Sequence, residues 1–464
     1  MIWKLLLLAG AKMRLAIDLQ GCQTDSRFRG IGRYSLAITK EIIKANVSGE
    51  TLIVLNGNMQ NRTSEIIDSF EGILPQQSFK SFSVPSQLIR FRGTWREEVA
   101  KLLREAFIAS LEPDFLLITS LFEGNNDDSV ISVNQLPGGY RTAAIHYDII
   151  PIRFPEAYLG NAAYRKRYFE KISYLRNTDL ILAISDFTRK DAISSLSIDP
   201  EHIENVSSAV DPKFRVKNYE NSFSSNLLLR LKITKPYIMY TGGFDERKNV
   251  QTLIKSFANL PYDLRQKYQL LLVGKILQTE QTSIVALAKE LRVDESILIT
   301  GFIPDDELIF LYNKCALFVF PSYYEGFGLP VLEAMSCGAP VIGSNNTSII
   351  EVIQNADAMF DAENTNDITA LMEKALTDDV FRFQLQENGK RQSGQFSWQT
   401  SGKLALAHME NFLASRAPDV KIPRDELYKE LITKIAKIPG IKHDLSKRDY
   451  QDLAGLIYFN GLNA

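Results

Sequence analysis

Over most of the 464-residue chain, apolar runs of four to eight residues alternate with longer stretches in which apolar positions recur at helical spacing. That alternation predicts parallel sheets covered on their faces by helices, an α/β class. In the first half it predicts strands over 14–19, 51–55, 114–119, 142–146 and 180–184, and helices over 32–45, 95–111, 163–176 and 186–195. Across 207–226, "SSAVDPKFRVKNYENSFSSN", serine, asparagine and charge replace the apolar runs, as expected of a connector between domains. The alternation then restarts, with strands predicted over 237–241, 269–273, 297–301, 317–320 and 340–343 and helices over 249–257, 281–291, 305–313 and 330–337. Beyond about residue 415, "RAPDVKIPRDELYKELITKI" and "LSKRDYQDLAGLIYFNG" predict two more helices. The second opens with Ser446 three residues before Asp449, a capping-box pattern, and sets Tyr450, Leu453 and Ile457 on one face.

The expected division is therefore a doubly wound, Rossmann-like N-terminal domain (13–215), a connector (216–236), a second such domain (237–415) and a helical C-terminal extension (416–464). Open sheets of this kind bind ligands at the carboxyl ends of their strands, which places the expected active site in a crevice between the halves. The stripe on the extension is expected to dock on its parent domain; the alternative is that it leads towards a further domain of a longer protein.

Composition narrows the chemistry. A chain of this length exceeds one ordinary core, and a net charge of −2 gives no case for a nucleic-acid partner. Three cysteines, Cys22, Cys315 and Cys337, cannot build a disulfide framework and point to a reducing, cytoplasmic setting. Four scattered histidines without CxxC or HxxxH spacing argue against bound zinc. The opening "MIWKLLLLAGAK" resembles a signal peptide, but "MRLAIDLQG" from Met13 reads like a first strand, so the first twelve residues are read as preceding the domain. No apolar stretch approaches the ~20 residues of a membrane span.

The candidate chemistry centres on "PSYYEGFGLPVLEAMSCGAPVI", where Glu325 and Glu333 lie eight positions apart. As a glycosidase pair they fail: eight helical residues span ~12 Å, whereas retaining and inverting pairs need ~5–5.5 and ~6.5–9.5 Å. Gly326, Gly328 and Pro330 also break any continuous helix, so a helix starts near Pro330 with Glu325 on the loop before it and Glu333 about a turn inside. Backbone N–H groups of "EGFGLP", from Gly326, Phe327, Gly328 and Leu329, at a helix N-terminus suit an anion such as phosphate. Carboxylates on either flank suit hydroxyls, so acid, anion nest and acid in a row match the sugar, diphosphate and ribose of a nucleotide sugar.

This stretch resembles the E-x7-E signature of retaining glycosyltransferase family 4, which has the two-domain GT-B fold, and the resemblance runs from about Met13 to Ser415. It implies that Glu325 contacts donor-sugar hydroxyls and Glu333 the nucleotide ribose. In "YTGGFDERKNVQTLIKSF", Gly242 and Gly243 follow a strand, and Arg247 and Lys248 precede a helix, an arrangement suited to a diphosphate. The family uses such a cationic pair to neutralise the leaving diphosphate; its arginine often directly follows the glycine turn, where this chain has Phe244. Gly30 and Gly32, at a helix start in "DLQGCQTDSRFRGIGRYS", correspond to the family's glycine loop facing donor phosphate and acceptor. His146, at a strand end in "AAIHYDIIPIRFPEAYL", corresponds to the histidine beside the donor sugar; read without the resemblance, a strand-end histidine is as readily structural, and Asp148 as readily a cap.

The resemblance implies a metal-independent hexosyltransferase with no cofactor, the nucleotide sugar being a co-substrate, and mannose from GDP-mannose is the expected donor. The resemblance makes 13–215 the acceptor-side domain and 237–415 the nucleotide-sugar-binding domain, and the expected acceptor is a lipid-linked O-antigen or cell-surface polysaccharide at the cytoplasmic face. Basic and aromatic residues interleave in "RFRGTWREEVAKLLRE" and "YRKRYFEKISYLR", which suits a sugar chain, anionic lipid headgroups in peripheral membrane contact, or an ordinary solvated helix face. Closure about the connector is expected to bring His146 towards Glu325. The alternatives are a catalytically silent nucleotide-sugar or carbohydrate-binding module and a GT-B epimerase or phosphorylase.

Overall fold

The computed structural model describes residues 12–417, 419–441 and 447–462. The opening segment before Lys12, Ser446 of the expected capping box and the side chain of Tyr450 lie outside the described residues. The chain forms two compact units, one of 1–184, 188–207 and 398–464, the other of 185–187 and 208–397.

The first unit is built on strands β1 (Arg14–Asp18), β2 (Glu50–Asn56), β3 (Phe79–Phe82), β4 (Phe115–Ile118), β5 (Arg141–His146), β6 (Leu180–Ala183) and β7 (Ile203–Asn205). They order as β3-β2-β1-β4-β5-β6-β7, every pair parallel, with Leu15 opposite both Thr51 and Phe115. The second unit carries β8 (Tyr237–Thr241), β9 (Gln269–Val273), β10 (Ile297–Gly301), β11 (Leu317–Phe320), β12 (Val341–Ser344) and β13 (Met359–Phe360), ordered β10-β9-β8-β11-β12-β13 and again parallel. Central strands such as "FLLI", "LILA" and "LFVF" are buried at every position, the pattern of a sheet covered on both faces. In each sheet the strand order reverses at one place, between β1 and β4 and between β8 and β11. The carboxyl ends of those strand pairs are the topological switch points where open sheets hold ligands.

Two boundaries differ from the sequence expectation. Residues 398–415, expected in the C-terminal domain, belong to the first unit. The helix Trp398–Ala414 packs on the helix Gly30–Ala45 so closely that a Cβ on Gly402 would lie 2.6 Å from the Cβ of Glu41. Trp398 meets Tyr34 edge-on at 5.0 Å, and Phe412 meets Phe115 of β4 at 5.8 Å. The expected connector 216–236 is also displaced: the units part at Ser207/Ser208, and the helix Asn221–Arg230 lies in the second unit. Tyr219 beside that helix meets Phe310 edge-on at 5.0 Å.

The C-terminal stripe docks on its own chain, in the first unit. Leu427, Leu431 and Ile435 of the helix Arg424–Ala436 and Ile457 of the helix Lys447–Phe459 join the core that includes Val99 and Leu103. Arg96 pairs with Asp449 at 2.7 Å, and Asn460 exchanges two 2.7 Å hydrogen bonds with the backbone of Ser83.

A buried ion pair anchors the centre of this unit. Asp18, the last residue of β1, and Arg104 are 2% and 0% exposed. Arg104 Nε donates to Asp18 Oδ2 at 2.9 Å, its Nη2 also reaches that oxygen, and Gln20 adds bonds from its backbone N (3.0 Å) and Nε2 (2.8 Å). Removing one partner of such a pair strands the other charge without water. Asp18→Ala is expected to destabilise the first unit by about 3–5 kcal/mol, whereas Asp18→Leu combined with Arg104→Met restores most of that loss; calorimetric melting of both variants checks this.

Candidate active site

The second unit brings the loops after β8 and β11 together at its switch point. After β8 the chain turns at Gly242 (φ +157°), where a Cβ would meet the Tyr240 hydroxyl at 2.6 Å. That hydroxyl donates to Gly243 O at 2.5 Å. The turn leads into a short 3-10 helix, Glu246–Lys248, and then to Asn249 in the left-handed region (φ 57°) before the helix Val250–Asn259. Asn249 Nδ2 donates to Pro321 O at 3.0 Å and Ala362 O at 2.8 Å, which fixes the end of the β8 loop against the start of the β11 loop.

On that second loop Glu325 is 9% exposed and draws three side-chain donors onto one oxygen. Arg247 Nη1 reaches Glu325 Oε1 at 2.9 Å, Lys248 Nζ at 2.6 Å and Ser322 Oγ at 2.6 Å. Arg247 Nη1 also donates to Tyr324 O at 2.6 Å, and its Nε lies 3.4 Å from Asp245 Oδ1. Burial would raise the Glu325 carboxyl, but the charges of Lys248 and Arg247 and the hydrogen bonds from Lys248 and Ser322 outweigh it and hold the carboxyl below its ordinary value. Glu325 is thus an ionised acceptor flanked by two cations.

Beyond Glu325, Gly326 and Gly328 are buried in the turn, and Gly328 (φ +103°) is the left-handed residue from which the helix Leu329–Ser336 starts, with Pro330 in its first turn. Glu333 lies one turn inside, half-buried, and its Oε2 accepts from the Tyr312 hydroxyl at 3.0 Å. The Phe327 side chain is 4% exposed and packs edge-on against Phe396 at 5.5 Å, which leaves its backbone as the part available to the turn. The structure therefore gathers Gly242, Gly243, Arg247, Lys248 and Glu325 into one cluster, with Glu333 and Leu329 on the helix that follows.

His146, Gly30 and Gly32 belong to the first unit. His146 ends β5 opposite Ala183 and is fully buried, and neither ring nitrogen has a hydrogen-bond partner among the described residues. Burial lowers it to about 4 despite the opposing charge of Asp191, so the ring is neutral at pH 7. Asp148 Oδ1 accepts from Ile150 N at 3.0 Å, the capping arrangement. Gly30 opens its helix, and Gly32 is required by packing, since a Cβ would fall 2.3 Å from Arg27 Cα.

Sequence reasoning missed Ser322, Asn249 and Tyr312. Ser322 stands three residues before Glu325 within the same motif and carried a readable signal; Tyr312 comes from another helix and carried none.

Two doubly wound parallel-sheet units with a cation-bound acid at the switch point of the second define a protein of the GT-B class. The group 1 glycosyl transferase family matches residues 229–392. The serotype-specific mannosyltransferase WbdA of Escherichia coli is 35% identical over 407 residues, 87% of this chain and 48% of its own length. The O-antigen chain mannosyltransferase B of Escherichia coli is 31% identical over 382 residues, 80% of this chain and 93% of its own. The chain thus spans about half the length of the WbdA relatives it matches. Among solved structures, Anabaena HepE in complex with UDP and glucose superposes with a TM-score of 0.62 at 17% identity, over 87% of this chain and 100% of its own. WaaG, described as a glycosyltransferase involved in lipopolysaccharide biosynthesis, gives 0.58 at 18% identity, over 84% and 98%. These likenesses carry the fold. The chain belongs to the group 1 glycosyl transferases.

A carboxyl held low in the folded state binds fewer protons there than when unfolded, so its contribution to stability is present above ~4.3 and is lost as pH falls through the folded value. Glu325→Gln is expected to lower stability by about 3 kcal/mol at pH 7, because Arg247 and Lys248 lose their counter-charge. The gap to the parent protein should close as pH is taken below ~4, as followed by calorimetric melting.

Proposed function

We propose that this chain transfers a hexose, mannose from GDP-mannose, with retention at the anomeric carbon, onto a growing lipid-linked O-antigen or cell-surface polysaccharide. The observation that carries this reading is the convergence of Arg247, Lys248 and Ser322 on Glu325 Oε1. Family membership and the mannosyltransferase names of the relatives support it.

In this reading Glu325 Oε2, to which no described residue donates, accepts the donor-sugar hydroxyls while Oε1 keeps its two cations close by. Arg247 and Lys248 then compensate the charge that builds on the departing diphosphate, a fixed electrostatic contribution that needs no reorganisation during bond breaking. Gly242 and Gly243 let the backbone approach the phosphates, and the backbone N–H groups of Gly326–Leu329 complete the anion nest. Glu333, oriented by Tyr312, accepts from the ribose hydroxyls. In the first unit His146 is a neutral imidazole and not a cation, and Gly32 keeps the start of its helix close-packed. No metal takes part in this scheme.

Among the described residues no helix is long and apolar enough to cross a membrane. In this reading a lipid-linked acceptor is met at the cytoplasmic membrane face by peripheral contact.

A panel of nucleotide sugars, read by mass spectrometry of acceptor and released nucleotide, tests the reading. GDP-mannose should give a lengthened glycan and free GDP, undiminished by EDTA; binding without turnover would sink it. Lys248→Ala should reduce kcat by about 100-fold or more with little change in donor KM, and Glu333→Ala should weaken GDP binding by about tenfold, the scale of one lost charge-assisted hydrogen bond. Steady-state kinetics and nucleotide titration separate the two effects.

A further inference from the structure

The cluster around Glu325 has a further support in the second unit, the loop 345–348 that follows β12 and leads into the short helix Ile349–Ile353. Thr347 and Ser348, neighbours on that loop, hold both backbone polar groups of one residue. Glu325 N donates to Thr347 Oγ1 at 3.3 Å, and Ser348 Oγ donates to Glu325 O at 2.9 Å. The loop is itself fixed. Asn345 N donates to Phe360 O of β13 at 2.8 Å, and Ser348 is fully buried. Ile349 lies so close to the glycine turn that a Cβ on Gly328 would fall 2.6 Å from Ile349 Cδ1. Asn346 Oδ1 accepts from Ser344 Oγ at 3.1 Å and from Thr347 Oγ1 at 3.3 Å. With its proton engaged by Asn346, the Thr347 hydroxyl turns a lone pair to the Glu325 N–H, and one chain of bonds runs from the end of β12 to that peptide.

The hydroxyl is presented from a strained backbone. Thr347 has a φ of +49°, in the left-handed region, where a Cβ crowds the main chain and a branched one crowds it most. Among the described non-glycine residues with positive φ, Thr347 alone is β-branched. Glu112, Arg292 and Gln354 take the same region just past a helix end, where it lets the chain satisfy the last carbonyls. Thr347 stands ahead of a helix, and that reason does not apply to it. Glycine would adopt this φ freely. Strain that persists beside a reactive carboxylate points to a task for the side chain that causes it.

We propose that Thr347 is a positioning residue for Glu325: its hydroxyl fixes the Glu325 peptide and thereby the place of the carboxylate, and the left-handed backbone is retained because it aims that hydroxyl. The proposal rests on the transferase reading, in which Glu325 Oε2 meets the donor-sugar hydroxyls. A carboxylate held through its side chain alone could drift with the long chains of Arg247 and Lys248. Holding N and O of the same residue from a separate loop removes that freedom. Misplacing a positioned group by about 1 Å can lower a rate by about 100-fold.

Three variants separate the hydroxyl from the strain. Thr347→Ser keeps the oxygen, Thr347→Val keeps the branched shape without it, and Thr347→Gly removes oxygen and strain together. With GDP-mannose as donor and α-mannotriose as acceptor, the serine variant should hold kcat within about twofold. The valine and glycine variants should each lose about tenfold or more in kcat, with donor KM changed by less than about threefold. The glycine variant should melt about 2 °C or more above the valine variant, so that like losses of rate accompany unlike stability. Hydrogen exchange of the segment containing Glu325, followed by mass spectrometry, reads the same bond without turnover. The Glu325 amide should exchange about tenfold faster or more in the valine and glycine variants than in the parent and serine proteins. Undiminished kcat in the valine variant, kcat that tracks melting temperature across the three, or unchanged exchange overturns the positioning role. A parent protein that turns over no donor strikes the transferase reading instead, and the exchange comparison still decides whether Thr347 fixes the Glu325 peptide.

Discussion

A carboxylate removed from water costs several kcal/mol unless cations and hydrogen bonds replace the solvent, and Glu325 meets that demand with Arg247, Lys248 and Ser322. The cluster does more than satisfy one acid. It ties the loop after β8 to the loop after β11, and Asn249 reinforces the same junction through two carbonyls. Two cations therefore stand at fixed positions before any ligand arrives. In a site that works by compensating developing negative charge, such prior placement is the main contribution a protein can make.

The two units present contrasting chemistry at equivalent places in their sheets. At the β8/β11 switch point the key groups are positive and set beside glycine turns, which suits a diphosphate. At the carboxyl ends of β1, β4 and β5 they are mostly negative and aromatic. One architecture thus carries two kinds of loop chemistry because the sheet fixes where loops gather, whereas the loops alone decide the charge.

The buried strands were legible because a strand covered on both faces becomes a short continuous apolar run bounded by polar residues. All five strands expected in the second half match β8 to β12 to within one residue. The missed strands are edge or short ones: Phe79–Phe82 is mostly half-exposed, Ile203–Asn205 has three residues and Met359–Phe360 two. Nothing in their composition separates them from loops. The cluster around Glu325 was legible where it is local, in "PSYYEGFG" and "ERKN", and illegible where it depends on tertiary placement, as with Tyr312. The unit boundary failed for the same reason. The helix Trp398–Ala414 was not among those read from the sequence, and a periodicity could not in any case name the surface it packs against.

That helix and the two beyond it have a consequence for biosynthesis. The second unit is almost one uninterrupted length of chain, whereas the first is assembled from segments that precede and follow it. Nascent domains ordinarily acquire structure in the order in which they leave the ribosome. Here the unit begun first must wait for residues 398–459 to emerge, its unfinished faces at the helix Gly30–Ala45 and around Val99 and Leu103 exposed meanwhile. The half translated in the middle is the one that matures earliest.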